Sequence, residues 1–510
     1  MLDLAALPDD VAALKAMIAA QAATIEERDT VIESRDARIE ALEAQLALLK
    51  RRQFGQSSEK LVQAIAQLEL ALEEAREDDG SASQRMEKAA PAAARGQPKR
   101  APLPEHLPLE EIVHAAPVSC PACGGTLRPL GEVVREELEY VPGRFKRVRH
   151  VRPKLSCRSC ETIVEAPPAS SPIPKGKAGP ALLAHVLVSK YCDSLPLYRQ
   201  SAIYARDGVP IERSTMADWV GRCAWLLDPL ALALGRHVFA GGVLHGDDTP
   251  VPVLAPGLGR TKTGRLWVYV RDERPWSGDG PPAAFYRYSE DRKGEHPRGH
   301  LKSFKGVLQA DGYAGFNELY EKGLVLEAAC WAHARRKFFD ICVTGKSEIA
   351  EEALRRIGEL YAVEETIRGR PPDERRAARL ARSAPILESF RPWLVARRDE
   401  LSRKSDLAKA IGYALSRWTE LTRFTDDGRI AIDNNAAERA IRPLALGRKN
   451  YLFAGSDSGG RRAAAIYSLV ESAKLNNLDP EKYLRDVLAR IADHPINKIA
   501  QLLPWRIYAA

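Results

Sequence analysis

Gly241-Gly-Val-Leu-His-Gly-Asp-Asp-Thr-Pro-Val-Pro-Val-Leu254 reads as a strand that carries two carboxylates in the middle of an apolar run. Ahead of it the chain is helical. Behind it, short apolar runs recur at Arg265 to Asp272, Ala283 to Ser289, Gly306 to Ala310 and Leu324 to Ala328, with helices after Gly315 and from Trp331. Three hairpin-connected strands followed by strands alternating with helices predict one mixed sheet. Such a sheet presents carboxylates from adjacent strands at one end. From Ser347 to Thr425 the sequence is rich in Arg, Glu, Ala and Leu and reads as a helical insertion into that fold.

Three acids stand out in this frame. Asp247 belongs to the opening run, Asp311 lies in Val307-Leu-Gln-Ala-Asp-Gly-Tyr313, and Glu438 lies in Ile432-Asp-Asn-Asn-Ala-Ala-Glu-Arg-Ala-Ile-Arg-Pro443. The first two sit in or at the end of strands and the third opens a helix, so all three can converge on a pair of divalent cations. In-line phosphodiester transfer uses one ion to activate the attacking oxygen and another to stabilise the leaving one, about 3.5–4 Å apart. Hard oxygen ligands suit Mg²⁺ (or Mn²⁺), which takes one or two carboxylates per ion. Asp247 would bridge both ions, with Asp311 and Glu438 each holding one; Asp248 and Asn435 are auxiliary candidates. Taken singly each acid is ordinary: Asp311 before Gly312 is turn chemistry, and Glu438 with Arg442 at i+4 is a surface ion pair. Pro443 is expected to end or bend the helix. This order of strands, acids and insertion suits a ribonuclease H-like core.

Basic and aromatic residues frame the acids. Cys330-Trp-Ala-His-Ala-Arg-Arg-Lys-Phe-Phe339 opens a helix, so His333 can face the acids while Arg335, Arg336 and Lys337 meet phosphate; a capped core histidine is the alternative. Arg439, Arg442, Arg448, Lys449, Arg461 and Arg462 face only Asp457 between residues 439 and 462. A basic, Gly-rich stretch with aromatics suits a DNA end.

The 510 residues are too many for one core, and 76 Lys+Arg against 68 Asp+Glu give a formal charge of +8, which favours a polyanionic partner. No run approaches the length of a membrane span, and Met1 to Asp10 does not read as a signal segment, so a cytoplasmic, nucleoid-associated protein is expected. Two knuckles, Cys120-Pro-Ala-Cys123 and Cys157-Arg-Ser-Cys160, point to tetrahedral zinc, with metal-free thiol pairs as the alternative. A β-hairpin, Gly131 to Tyr140 and Phe145 to Leu155, would bring them together. Between Arg144 and Arg158 stand seven Lys/Arg and no acid, so Arg147 and Arg149 are candidate DNA contacts unless they guard an edge strand. Leu197 to Gly208 and Val209 to Val220 read as helix, turn, helix, with Ser214 as N-cap.

The N-terminal stretch repeats at seven residues: Ile18, Ile25, Ile32, Ile39 and Leu46 on one seam, Leu14, Gln21, Arg28, Arg35, Leu42 and Leu49 on the other. This predicts a coiled coil that pairs protomers, or a helix folding back on Leu61 to Leu72. Asp78 to Pro104 turns to Gly, Ser, Ala, Pro and charge, a linker composition.

Taken together, Arg52 to Lys60, the two knuckles, Gly246-Asp-Asp-Thr-Pro250, Gln309-Ala-Asp-Gly-Tyr313, Cys330 to Phe338, Asp433 to Pro443 and the tail from Glu471 to Trp505 resemble the IS66 family of bacterial insertion-sequence transposases. The resemblance implies an Asp-Asp-Glu triad at Asp247, Asp311 and Glu438; many members read Asp-Glu-Thr where this chain has Asp247-Asp248-Thr249. It implies double-stranded DNA, as element ends and target, for partner, and two small companion proteins. The expected division is 1–77 coiled coil, 78–104 linker, 105–170 zinc-finger-like module, 175–238 helix-turn-helix-like region, 239–345 with 426–470 catalytic core, 346–425 insertion and 471–510 tail: a multidomain α+β chain. A structure-selective endonuclease and a non-catalytic DNA-binding regulator are the rival readings.

Overall fold

The computed structural model describes residues 105–508 apart from 106, 116, 118, 142, 256–259, 322, 324, 448–449 and 451–453. The expected coiled coil, the linker, the Arg52 to Lys60 segment, Arg448 and Lys449 therefore lie outside the described residues. Among the described residues, no helix is long and apolar enough to cross a membrane.

The first module is a small sheet of β1 (Leu109–Val113), β2 (Leu127–Val141), β3 (Arg144–Cys157) and β4 (Ile163–Glu165), in the order β1-β3-β2 with β4 also on β3. The hairpin is longer than the sequence indicated at both ends. Its tight turn needs Gly143 at φ 87°, a backbone state that costs a side-chain-bearing residue. Gly131, at φ 153°, marks the register break between Pro129 and Gly131. The hairpin carries Cys157 at one end of β3 opposite Leu127, four residues past Cys123.

Next come α1 (Pro180–Tyr191), α2 (Leu197–Arg206) and α3 (Arg213–Phe239). Ser214 is not the N-cap: Glu212 holds that position without a side-chain bond, and Ser214 lies inside the first turn. More than half of α3 is buried, between Met216 and Val238, with Thr215, Asp228, Leu232 and Arg236 exposed. A helix that is apolar on most sides belongs in a core.

That core is the face of a five-stranded sheet. β5 (Val243–Val253), β6 (Lys262–Arg271) and β7 (Ala283–Ser289) form an antiparallel meander; α4 (Glu295–His300) precedes β8 (Gly306–Gln309), and α5 (Asn317–Glu321) precedes β9 (Val325–Ala328). The order is β7-β6-β5-β8-β9, with β5, β8 and β9 parallel. Strands β5 and β6 agree with the expected runs to within three residues, and β7 coincides with its run.

After β9 the chain leaves the sheet through α6 (Trp331–Thr344), α7 (Glu348–Thr366), α8 (Pro372–Ala378), a π-helical turn at Arg379–Ser383, α9 (Ala384–Asp399), α10 (Asp406–Ser416) and α11 (Trp418–Thr422). It returns as α12 (Asn435–Gly447), α13 (Asp457–Leu475) and α14 (Pro480–Ile491). Helix α12 runs through Pro443 rather than ending there. Phe338 and the insertion residues Ile357, Phe390 and Ile411 are buried in one cluster with Val243, Val307 and Ala328 of the sheet. Leu182 and Leu227 of the helical region, Tyr269 of the sheet and Tyr483 of the tail share another. The exposed edge of β7 is closed by α13, whose Ser468 and Ser472 hydroxyls accept the amides of Tyr286 and Ala284 at 2.8 and 3.0 Å.

A buried ion cluster locks the insertion's return. Arg379, with no exposed surface, grips both oxygens of Glu364 at 2.7 Å and donates to the Phe424 carbonyl at 2.6 Å. Arg375 adds bonds to Glu364 and to the carbonyl of Gly428. Gly428 is obligatory here, because a Cβ would collide with the backbone of Pro372. Removing one partner of a buried ion pair strands the other, at a cost of about 3–5 kcal/mol. Arg379→Ala should lower unfolding free energy by about that much in urea titrations, whereas Arg355→Ala, at an exposed pair with Glu352, should cost about 0.5 kcal/mol or less.

Candidate functional site

Register brings the first two acids together. On the parallel pair β5 and β8, His245 lies directly opposite Gln309, so Asp247 and Asp311 each follow two residues farther on the same side. Both polar residues of that pair turn to the segment before α12. Gln309, fully buried, donates to the Ala431 carbonyl at 2.7 Å and accepts the Ala431 amide at 2.8 Å. Asn434, also fully buried, donates to the Gly246 carbonyl at 2.9 Å, and its Oδ1 meets His245 Nδ1 at 3.1 Å. With the amide nitrogen committed to Gly246, Oδ1 must accept, so His245 carries its proton on Nδ1. Burial pushes the pKa of His245 down, which keeps the ring neutral.

These bonds hold the start of α12, and hence Glu438 one turn in, against the first half of β5 and the end of β8. Asn435, an auxiliary candidate from the sequence, bonds locally instead: its side chain donates to Asp433 at 2.7 Å, while Asp433 caps the Asn435 amide at 3.1 Å.

Burial pushes the Asp247 carboxyl up to about 7, and the charges of Asp311, Asp248 and Glu438 push in the same direction against a hydrogen bond from the Asp248 amide. The charges of Asp311 and Glu438 thus reach the Asp247 carboxyl. The oxygens of these three acids do not form a group within 4.8 Å of one another, unlike the cysteines described below.

Asp248 takes a different path. It faces away from Asp247 along the strand, 1% exposed, and is clamped by Arg265 at 2.9 Å and Arg292 at 2.8 Å. Two guanidiniums satisfy its charge. Arg292 also lies 3.6 Å from Asp311 and stacks over Tyr313 at 4.1 Å, tying the loop after β8 to the meander. Neither Arg265 nor Arg292 carries a local signal in the sequence. His245 and Gln309 do: each is a polar residue two positions before an aspartate in an otherwise apolar strand.

His333 stands 3.8 Å from Glu438, with Cys330 in the same cluster. Arg335, Arg336 and Lys337 are exposed on α6; Lys337 packs over Tyr413 at 4.6 Å and Arg335 over Phe339 at 5.8 Å. Arg439 and Arg442 are exposed on α12. A cleft of about 560 Å³ opens beside Arg439, between α12 and α7, lined also by His245, Tyr361, Arg368 and Asp433. Arg149 is engaged within the small sheet, 3.1 Å from Glu136 and 3.8 Å from Glu111, as a cross-strand ion ladder. Arg147 is half-buried and reaches the Glu105 carbonyl.

The second candidate centre is Cys120, Cys123, Cys157 and Cys160, whose sulfurs all lie within 4.8 Å of one another. Sγ–Sγ distances of 3.4 Å for three of the pairs exclude disulfides and approach the edge of about 3.8 Å expected for a ZnS₄ tetrahedron. A Cβ at Gly125 would press on the Cys157 and Cys123 sulfurs at 3.2 and 3.4 Å, so the knuckle needs a glycine. The Thr162 hydroxyl and amide pull Cys160 down to about 6, which favours the thiolate that binds metal.

Comparison with known proteins gives four family matches in chain order. They are described as Transposase C of IS166 homeodomain over residues 41–112, zinc-finger binding domain of transposase IS66 over 117–161, Transposase IS66 family over 175–462, and IS66 C-terminal element over 468–505. Similar proteins from Sinorhizobium fredii include the uncharacterized protein y4hP, 42% identical over 90% of this chain and 87% of its own. The uncharacterized protein y4jD is 40% identical over 79% and 81%. The zinc-finger match and the four-cysteine geometry together support a structural zinc.

Two outcomes follow from the centres. Cys160→Ser should drop bound zinc from one per chain to none by atomic absorption and open the small sheet to protease, leaving the larger core folded. Because Asp247 keeps its proton up to about 7 in the fold, against an ordinary 3.8, the native state holds a proton that the unfolded chain releases between those values. Its contribution to stability is therefore lost as pH rises from about 4 to about 7. In zinc-loaded protein free of other divalent ions, Asp247→Asn should flatten that decline and be the more stable form at pH 8 by urea unfolding.

Proposed function

The chain belongs to the IS66 family of transposases, and from that premise we propose that it binds the ends of an insertion sequence, cleaves them and joins them to target DNA. The reading rests on one observation above others: Asp247 and Asp311 each lie two residues beyond the paired positions His245 and Gln309 of adjacent parallel strands, and the charges of Asp311 and Glu438 both act on Asp247. Asp247, Asp311 and Glu438 are the residues that would hold a Mg²⁺ or Mn²⁺ pair. When bound, such a pair lowers the barrier to in-line displacement at phosphorus by stabilising charge on the attacking and leaving oxygens.

The protein's own part is positioning and charge. The Gln309 and Asn434 bonds keep the third carboxylate on α12 aligned with the strand ends. Arg265 and Arg292 remove Asp248 from competition, and Arg292 also steadies Asp311. Arg335, Arg336, Lys337, Arg439 and Arg442 are exposed on the two helices that start beside the acids, where they would meet the phosphates of an incoming strand. The strand order, with three antiparallel strands continued by two parallel ones, supports a ribonuclease H-like core interrupted at 346–425. The zinc module would contact DNA near the element ends, and the N-terminal heptads would pair two protomers. Two companion proteins of the element would complete the machinery.

The test separates binding from chemistry. Asp311→Asn and Glu438→Gln should reduce end cleavage by at least a thousandfold, of order 4 kcal/mol in the barrier, while shifting the affinity for end-containing duplex less than threefold in a gel-shift titration. Comparable cleavage by either variant and the wild type would remove these acids from the chemistry.

A further inference from the structure

Two helices begin side by side at the acid cluster. Cys330, the N-cap of α6, accepts the Asn434 amide at 3.1 Å, and the Trp331 amide donates to the Ile432 carbonyl at 3.1 Å. One turn into each helix stand His333 and Glu438, with Nε2 and Oε1 3.8 Å apart and both side chains about one-third exposed. That separation is too long for a hydrogen bond. The other ring nitrogen, Nδ1, is buried and has no hydrogen-bond partner either. An imidazole beside a carboxylate, with neither nitrogen hydrogen-bonded by the protein, is an unusual arrangement for a merely structural histidine, since buried polar atoms are nearly always paired.

The spacing suits a shared ion. Two ligands each about 2.1 Å from one cation lie about 3–4 Å apart, whether the geometry is tetrahedral or octahedral. The opening toward solvent lets a hydrated ion reach both. The Cys330 sulfur belongs to the same cluster, but burial pushes its thiol up to about 12 and it already takes a backbone N–H, so it serves to seat the two helices.

We propose that His333 and Glu438 jointly bind one divalent cation, giving this end of the site a nitrogen donor that selects Mn²⁺ over Mg²⁺. The choice follows from donor chemistry: Mg²⁺ holds to oxygen and water, whereas imidazole suits first-row transition ions. The inference rests on the reading of Glu438 as a metal ligand and adds its partner. The oxygen-only end, at Asp247 and Asp311, remains indifferent to the two ions, so the two positions differ in selectivity.

The experiment is pulsed electron paramagnetic resonance on the zinc-loaded full-length chain titrated with Mn²⁺. The wild type should show modulation from a directly bound ¹⁴N, replaced by the ¹⁵N pattern when the protein is grown on ¹⁵N-histidine, which needs no substitution. His333→Gln should lose the modulation and bind Mn²⁺ about tenfold or more weakly, and Mg²⁺ should then compete with Mn²⁺ more nearly on equal terms. Retained zinc and an unchanged far-ultraviolet spectrum verify that this variant is folded. Mn²⁺ bound without nitrogen coupling, but released in Glu438→Gln, would overturn the role of His333 and leave the carboxylate site standing. No Mn²⁺ bound in any form would overturn both readings.

Discussion

The hydrogen bonds of Gln309 and Asn434 to the segment before α12 are the constraint on which the functional architecture depends. Between Asp311 and Glu438 the chain runs through 126 residues and a helical insertion that packs on the sheet. Closing so long a loop costs only slowly growing entropy, but placing its far end to within an ångström requires directional contacts. Two fully buried amide side chains supply them, one from β8 and one returning to β5. An unpaired buried polar group costs about 1–3 kcal/mol, so either side chain penalises any arrangement in which the helix slides away.

The insertion is anchored independently at its base. Trp331 bonds to the Leu421 carbonyl at 2.7 Å, and Arg417 joins Glu327 at 2.8 Å and the Gly312 carbonyl at 3.0 Å. The loop that carries Asp311 is thus held from the insertion on one side and by Arg292 on the other. Geometry at the acids comes from a frame of neutral amides and fixed guanidiniums around them, and the acids themselves make few bonds. Preorganised donors around an open cluster of carboxylates suit a site whose principal contacts are to be made by ligands.

Much of this was legible in the residues. Alternation and turn chemistry located the strands of the large sheet, and the cysteine spacing together with the hairpin predicted the four-sulfur cluster. The pairing of Asp248 with Arg265 and Arg292 was not legible, because a contact across 17 and 44 residues leaves no periodic trace. Ser214 misled because its residue type favours a cap, yet the helix starts one residue earlier, at Arg213. Of the two outcomes expected at Pro443, an end to the helix does not occur, because the ring removes one amide hydrogen bond without forbidding the helical φ, and α12 continues for another turn. Arg149 stood in a run of positive charge whose neutralising acids, Glu136 and Glu111, lie on other strands. The helical region and the tail looked like separate units, since the sequence cannot reveal that Leu182, Tyr269 and Tyr483 share one core.

The closure of the sheet's edge by α13 sets an order of events during synthesis. Strand β7 offers its backbone groups to Ser468 and Ser472, nearly two hundred residues later in the chain, and the third acid also arrives late. The four cysteines, by contrast, have all been synthesised once Cys160 has left the ribosome. A nascent or prematurely terminated chain therefore presents its cysteine module long before it can assemble the three-carboxylate cluster, and it exposes an unfinished strand in the interval. Any copy of the gene broken before α13 encodes a product whose β7 lacks the hydroxyls that take up its edge amides.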